Sequence, residues 1–178
     1  MDAKIRVLIT QEEIDRRVDE IAKEIMRDYE GKDIMLVCVL KGASIFMVDL
    51  ARKVTTTSLS FDFMDVSSYG SATVSQGIVK IDKDLSTPIT DKHVLLVEDI
   101  IDTGQTLKRL LEHLHTKKPA SLKTCVLLDK PERRVAAAES IVPDYIGFKI
   151  PNEFVVGYGL DYNEIYRNLP YIGVLSQN

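Results

Sequence analysis

The stretch VEDIIDTGQT, Val97 to Thr106, sets the carboxylates Glu98, Asp99 and Asp102 at the end of an apolar run, then adds two hydroxyls and a glycine. Like charges that close repel one another, which makes the cluster a poor surface decoration and a good binder of a cation or of hydroxyl groups. The turn Asp102-Thr103-Gly104-Gln105-Thr106 suits a different ligand. Hydroxyls, a glycine and free backbone N–H groups at a helix start cradle a phosphate. No Gly-Lys-Thr follows, and the spacing is not Gly-x-Gly-x-x-Gly, so two common nucleotide-binding motifs drop away. Acids beside a phosphate suit sugar hydroxyls, or a magnesium ion that takes part of its shell from substrate oxygens. A ribose carrying a 5-phosphate satisfies both halves. Helix capping accounts for one Thr or Asp here, but not for three acids.

Such a site has to be held by strands and helices. In open parallel sheets ligands bind at the carboxyl ends of strands, beside helix N-termini. Val94 to Val97 reads as a buried strand, and Leu107, Leu110, Leu111 and Leu114 mark the inner stripe of the helix that follows. Ile34 to Leu40 is too continuously apolar for a half-exposed strand, which predicts cover on both faces. Thr10-Gln11-Glu12-Glu13 is a capping box opening a helix with Ile14, Val18, Ile21, Ala22 and Ile25 inward, stopped by Gly31. Ser44 is expected to cap a short helix through Arg52. Leu59 to Val66 alternates as a strand, with Ile78 to Ile81 as its return. Between them the small, polar segment 67–77 is long enough to be a lid or binding loop. Leu122 to Leu128, Tyr145 to Ile150 and Ile172 to Leu175 are further strands. Strands alternating with helices predict an α/β fold, a twisted and mainly parallel sheet flanked by helices.

Composition narrows the class. The 178 residues suit one domain, and 45% hydrophobic residues are enough for a packed core. A net charge of -4 with scattered Lys and Arg argues against nucleic acid as a partner. No run is long enough to cross a bilayer and the first residues lack a signal-peptide pattern, so the cytoplasm is the expected address. Cys38 and Cys125 fall inside apolar strands and read as buried free thiols, with a disulfide possible but unsupported. His113 and His115 do not share a helix face, which argues against zinc.

Four segments occur in order along nearly the whole chain: Leu40-Lys41-Gly42-Ala43, Ser67-Ser68-Tyr69-Gly70-Ser71, Val97 to Gly104, and Phe154 to Glu164. They resemble the type I phosphoribosyltransferases, and the wording VEDIIDTG resembles the hypoxanthine-guanine branch of bacterial type. The resemblance implies one phosphoribosyltransferase domain over residues 1–178, with a small hood over the purine formed from the N-terminal residues and roughly 145–178. It implies a magnesium-dependent transfer of ribose 5-phosphate from phosphoribosyl pyrophosphate (PRPP) to N9 of a 6-oxopurine, releasing pyrophosphate. Asp102 matches the general base that faces purine N7. Glu98 and Asp99 match groups near the ribose hydroxyls and the magnesium. Thr103, Gly104, Gln105 and Thr106 match the 5-phosphate loop. Some relatives carry lysine where Gln105 stands, so its contact is expected through the backbone. Lys41, Gly42 and Arg167 match pyrophosphate contacts, with a non-proline cis peptide at Leu40–Lys41. Lys130 would donate to the purine O6, Phe154 would stack on the ring, and Val155 with Asp161 would line the 2-position. Asp161 also matches a ligand of a second magnesium. Ser68 and Tyr69 match the tip of a mobile loop that closes over the reaction, leaving residues 70–77 mobile in the empty enzyme. The resemblance further implies a homodimer or homotetramer. Two rivals stand beside it, a receiver domain with acids around magnesium and a nucleic-acid-binding regulator on the phosphoribosyltransferase fold. The position of the acids in mid-chain weighs against the first, and the missing basic patch against the second.

Overall fold

The apolar runs and stripes become strands and helices in the computed structural model, whose described residues are 4–55, 58–68 and 79–176. In chain order these are β1 (Ile5–Ile9), α1 (Gln11–Asp28), β2 (Ile34–Leu40), α2 (Ser44–Lys53), β3 (Leu59–Ser68), β4 (Val79–Lys83), β5 (His93–Ile101), α3 (Gln105–Thr116), β6 (Ser121–Asp129), β7 (Tyr145–Lys149), β8 (Val155–Val156) and β9 (Ile172–Leu175). A six-stranded sheet runs β4-β3-β2-β5-β6-β7, and a three-stranded sheet runs β1-β9-β8. In the larger sheet β2, β3, β5, β6 and β7 are parallel and only the edge strand β4 is antiparallel.

β2 is continuously apolar because both of its faces are covered. Ile34, Leu36 and Cys38 join the side chains of α1 and α2, while Met35, Val37 and Val39 join α3. On α3 the stripe Leu107, Leu110 and Leu114 is fully covered. Burying each such side chain contributes roughly 1.5–3 kcal/mol. α1 starts at the expected capping box, with Glu13 N donating to Thr10 Oγ1 at 3.2 Å and Thr10 N donating to Glu13 Oε2 at 2.7 Å. Cys38 and Cys125 are buried free thiols. Each pairs with Val97 from its own side of β5. Two strand spacings, about 10 Å, exceed the ~4.4–6.8 Å that a disulfide spans.

Some boundaries differ from expectation. Ser44 is the first residue of α2 rather than its cap, and its hydroxyl donates instead to Lys41 O at 2.7 Å. β5 extends past Val97 to Ile101, so Glu98 and Asp99 lie within the strand. β7 ends at Lys149, one residue early, and the return strand begins at Val79, with Ile78 outside the described residues. The sequence pattern does not predict β1 or β8. A register shift between Val7 and Ile9 breaks the alternation of β1, and β8 is only two residues long.

The sheet order decides where a ligand fits. From β2 the chain passes to β3 on one side and, after β4, returns to β5 on the other. Neighbouring strands whose connections diverge leave a crevice beyond their carboxyl ends. Here that crevice lies between Lys41-Gly42 after β2 and the acids at the end of β5.

Candidate active site

The end of β2 and the end of β5 touch through a glycine. A Cβ added to Gly42 would lie 1.6 Å from Asp99 Oδ2, so only glycine lets that carboxylate lie over the loop. The Leu40–Lys41 peptide beside it is cis, as the resemblance implied. The Gly42 carbonyl in turn receives Gly159, where a Cβ would stand 2.0 Å from Gly42 O. Gly159 also has a φ of 102°, a backbone region that favours glycine. This seam joins the segment after β8 to the large sheet.

A cavity of about 360 Å³ opens above it, lined by Lys41, Gly42, Glu98, Asp102, Thr103 and Thr106 among others. Gly104 caps α3 with a φ of 83° and lines the same cavity. Thr103 Oγ1 accepts from Gln105 N at 3.4 Å. Gln105 lines neither of these two cavities.

A second cavity of about 240 Å³ adjoins the first, and the two share Asp99, Ile100, Asp102 and Asp161. Lys130, Phe154 and Val155 line this second cavity alone. Lys130 is buried, and burial lowers its ammonium pKa against the opposing pull of Asp102. Among the described residues no carboxylate lies within ion-pair distance of it. Lys130 lines the cavity, so its ammonium is available to a ligand oxygen there. Phe154 is 43% exposed and meets Tyr162 edge-to-face at 5.7 Å, which leaves ring surface free for a planar ligand. Val155 is packed into the core.

The acids differ in their surroundings. Burial, reinforced by Asp99, raises Glu98 well above the usual carboxylate range. Burial also raises Asp99, opposed by backbone N–H donors and by Arg167. Asp102 is more open, and Arg133 Nε donates to its Oδ1 at 2.8 Å. Arg134 NH1 donates to the Asp102 carbonyl at 2.9 Å, and the same guanidinium pairs with buried Asp129. Val135 N donates to Thr103 O at 3.2 Å. The segment after β6 therefore braces the Asp102-Thr103-Gly104 turn from beneath.

Arg167 NH1 donates to Gly159 O at 2.7 Å, and NH2 lies 3.0 Å from Asp161 Oδ1 and 3.4 Å from Glu164 Oε1. Lys41 Nζ lies 2.8 Å from Glu164 Oε2. Arg133, Arg134, Tyr162 and Glu164 were not singled out in the sequence. Ser68 ends β3 opposite Val79, while Tyr69 and residues 70–77 lie outside the described residues.

Among the described residues no three His, Cys, Asp or Glu side chains converge as an all-protein metal site. Magnesium is usually held by one or two carboxylates plus substrate oxygens and water. Buried Glu98 and half-buried Asp99, whose charges burial disfavours, fit that mode. Among the described residues no helix is long and apolar enough to cross a membrane.

Comparison with known proteins gives a concordant result. A family model described as phosphoribosyl transferase domain matches residues 9–163. A protein named hypoxanthine-guanine phosphoribosyltransferase from Staphylococcus aureus (strain Mu50) is 52% identical over 170 residues, covering 96% of this chain and 93% of that protein. A crystal structure of a hypoxanthine phosphoribosyltransferase from S. aureus superposes with a TM-score of 0.90 at 51% identity, covering 96% of this chain and 91% of that one. A protein named bifunctional protein TilS/HprT from Listeria innocua is 52% identical over 171 residues; the chain spans 26% of that protein's length.

Proposed function

The chain belongs to the phosphoribosyltransferase family, with its type I fold, and from that premise we propose the reaction and the part each residue takes in it. The protein is a purine-salvage enzyme. It transfers the 5-phosphoribosyl group from PRPP to N9 of hypoxanthine or guanine, giving IMP or GMP and pyrophosphate. One domain carries the whole site, and the small sheet with its connecting segment forms the hood over the purine. The observation that carries this reading is the pair of adjoining cavities. One has a phosphate-cradling turn and a buried acid, the other a buried lysine and an open aromatic ring, and Asp102 stands where they meet.

In the reaction the C1–oxygen bond to pyrophosphate breaks with its electron pair leaving on the pyrophosphate, and the C1–N9 bond forms. Thr103, Gly104 and Thr106, with the backbone of Gln105, hold the 5-phosphate by hydroxyls and N–H groups at the start of α3. Glu98 and Asp99 face the ribose hydroxyls. Asp102 takes the proton from purine N7 as N9 attacks. Lys130 donates to O6, which selects 6-oxopurines over adenine, whose exocyclic amine is itself a donor. Phe154 stacks on the ring, which contributes about 1–3 kcal/mol in comparable base contacts. Val155 and Asp161 border the 2-position. Lys41, Gly42 and Arg167 receive the pyrophosphate. Glu98, Asp99 and Asp161 are the candidate magnesium contacts; when bound, the ion would offset negative charge on the departing pyrophosphate. Ser68 and Tyr69 close over the reacting centre and exclude water.

The reading extends to the setting. Two buried free thiols fit a reducing compartment, the cytoplasm. Phe61 and Val48, 52% and 49% exposed, are apolar surface of the kind a homodimer or homotetramer covers. The decisive experiment mixes protein, magnesium, PRPP and hypoxanthine and follows nucleotide formation in the ultraviolet. Turnover with hypoxanthine and none with adenine is expected. Absence of turnover with hypoxanthine, guanine and xanthine alike overturns the proposal.

A further inference from the structure

Lys41 and Arg167, the two cations assigned above to pyrophosphate, already share an anion within the protein. One oxygen of the Glu164 carboxylate lies 2.8 Å from Lys41 Nζ, and the other lies 3.4 Å from Arg167 NH2. Lys41 follows β2, while Arg167 comes from the segment between β8 and β9. A single group that bridges the two, oxygen to cation on each side, repeats the arrangement a diphosphate would make. Lys41 and Arg167 together hold the Glu164 carboxyl below its usual range, the Lys41 hydrogen bond first among the causes.

A second observation concerns where Glu164 sits. Tyr162 and Ile165 exchange both backbone hydrogen bonds, each at 3.1 Å. Between them Asn163 and Glu164 have φ values of 50° and 64°. Two positive φ values between paired residues make a type I′ turn, whose second position favours glycine because an L side chain crowds the backbone there. Glutamate stands at that tip against its conformational preference. Strained residues of this kind persist where the side chain has work to do. Here the turn delivers the carboxylate onto Lys41. The Glu164 N–H, meanwhile, donates to Asp161 Oδ2 at 2.9 Å and steadies the turn.

We propose that Glu164 is an internal stand-in for pyrophosphate. Its carboxylate occupies Lys41 and Arg167 in the empty enzyme, is displaced by the diphosphate of PRPP, and returns when pyrophosphate leaves. The inference rests on the assignment of Lys41 and Arg167 to pyrophosphate. It adds that the site is tuned against binding its leaving group too tightly. A ligand that must displace an internal competitor has its affinity reduced by the fraction of time the competitor is seated. The Lys41 and Glu164 side chains are largely exposed, so the effect is modest, about two- to fivefold. Arg167 keeps its Asp161 contact at 3.0 Å without Glu164, so removing the carboxylate frees the cations without releasing them.

The test titrates magnesium pyrophosphate into the full-length protein by calorimetry and measures KM for PRPP and for hypoxanthine. Glu164→Gln removes the charge, and Glu164→Gly removes it while relieving the turn, so at least the second variant folds; thermal unfolding checks this. Both are expected to bind pyrophosphate about two- to fivefold more tightly. KM for PRPP should fall by the same factor, with KM for hypoxanthine unchanged. The gain should shrink in high salt, where the competing ion pair is already screened. Lys41→Met and Arg167→Leu separate the two layers of the inference. If these weaken pyrophosphate binding while both Glu164 variants leave it unchanged or weaker, the stand-in is wrong and the pyrophosphate assignment survives. If Lys41→Met and Arg167→Leu bind pyrophosphate as the parent does, the assignment is wrong and the stand-in falls with it.

Discussion

Asp102 is held at two points by successive arginines: Arg133 takes its carboxylate at 2.8 Å and Arg134 its carbonyl at 2.9 Å. The second contact fixes the backbone, and the first orients the oxygen that has to meet the purine. Replacing Asp102 by Asn keeps the Arg134 contact and the shape of the turn but removes the base. Turnover of Asp102→Asn is therefore expected to fall about 10²- to 10⁴-fold, with an unchanged melting temperature and a KM for PRPP close to that of the parent. Steady-state kinetics with hypoxanthine checks it, and parental turnover would remove Asp102 from the chemistry. The acids were legible in the sequence because they sit within one short stretch. The arginines were not. They lie 31 and 32 residues from Asp102 in the chain, in a charge run that by itself reads as solvated surface. Glu164 closes the Phe154-to-Glu164 segment, but its tie to Lys41, 123 residues away, is not legible in the sequence.

Elements were legible where burial was complete and obscure where it was partial. β2 and α3 carry unbroken apolar patterns because each presses on a filled core. β1 and β8 belong to a sheet too small to impose alternation, and a bulge or a two-residue length hides them. β4, the antiparallel edge strand, is tied to α3 by polar contacts at its end. Asp84 Oδ2 accepts from Lys117 Nζ at 2.8 Å and lies 2.9 Å from His113 Nε2. Burial works to raise the Asp84 carboxyl, but Lys117, the Leu85 N–H and His113 outweigh it and hold it at about 2. A carboxyl whose folded pKa lies below its unfolded value, ~3.9, stabilises fully above that value and loses its contribution as pH falls toward 2. Asp84→Asn should therefore lower the melting temperature at pH 7 and match the parent near pH 2. Asp84 is 38% exposed, so after discounting for solvent the effect is about 1 kcal/mol or less. Thermal scans across pH decide it, and a gap that persists at the acid end refutes the linkage.

For the molecule as a whole, the sheet order places Glu98 and Asp99 at the crevice where connections diverge, and burial there disfavours their charge. A fold selected only for stability would not keep two adjacent acids in that environment. Their presence implies a protein less stable when empty than its core allows, with stability exchanged for a site that a cation or ribose hydroxyls complete. The sign follows from linkage. A carboxyl whose folded pKa is raised binds more protons when folded, so stability falls as pH rises from its ordinary value of ~4.3 through the raised one, and the full penalty is present above it. In magnesium-free buffer at alkaline pH, Glu98→Gln removes the group whose charge burial disfavours and is expected to melt higher than the parent. Each kcal/mol gained moves the midpoint by about 2–4 °C for a chain of this length. As pH falls toward the ordinary carboxyl value, ~4.3, the parent holds its proton and the two curves should approach one another. The same variant should lose turnover, because the ribose and the cation meet an amide where they need a carboxylate. A Glu98→Gln protein that melts lower than the parent at alkaline pH would mean the acid is already satisfied within the empty fold, and that the crevice is not held open for a ligand.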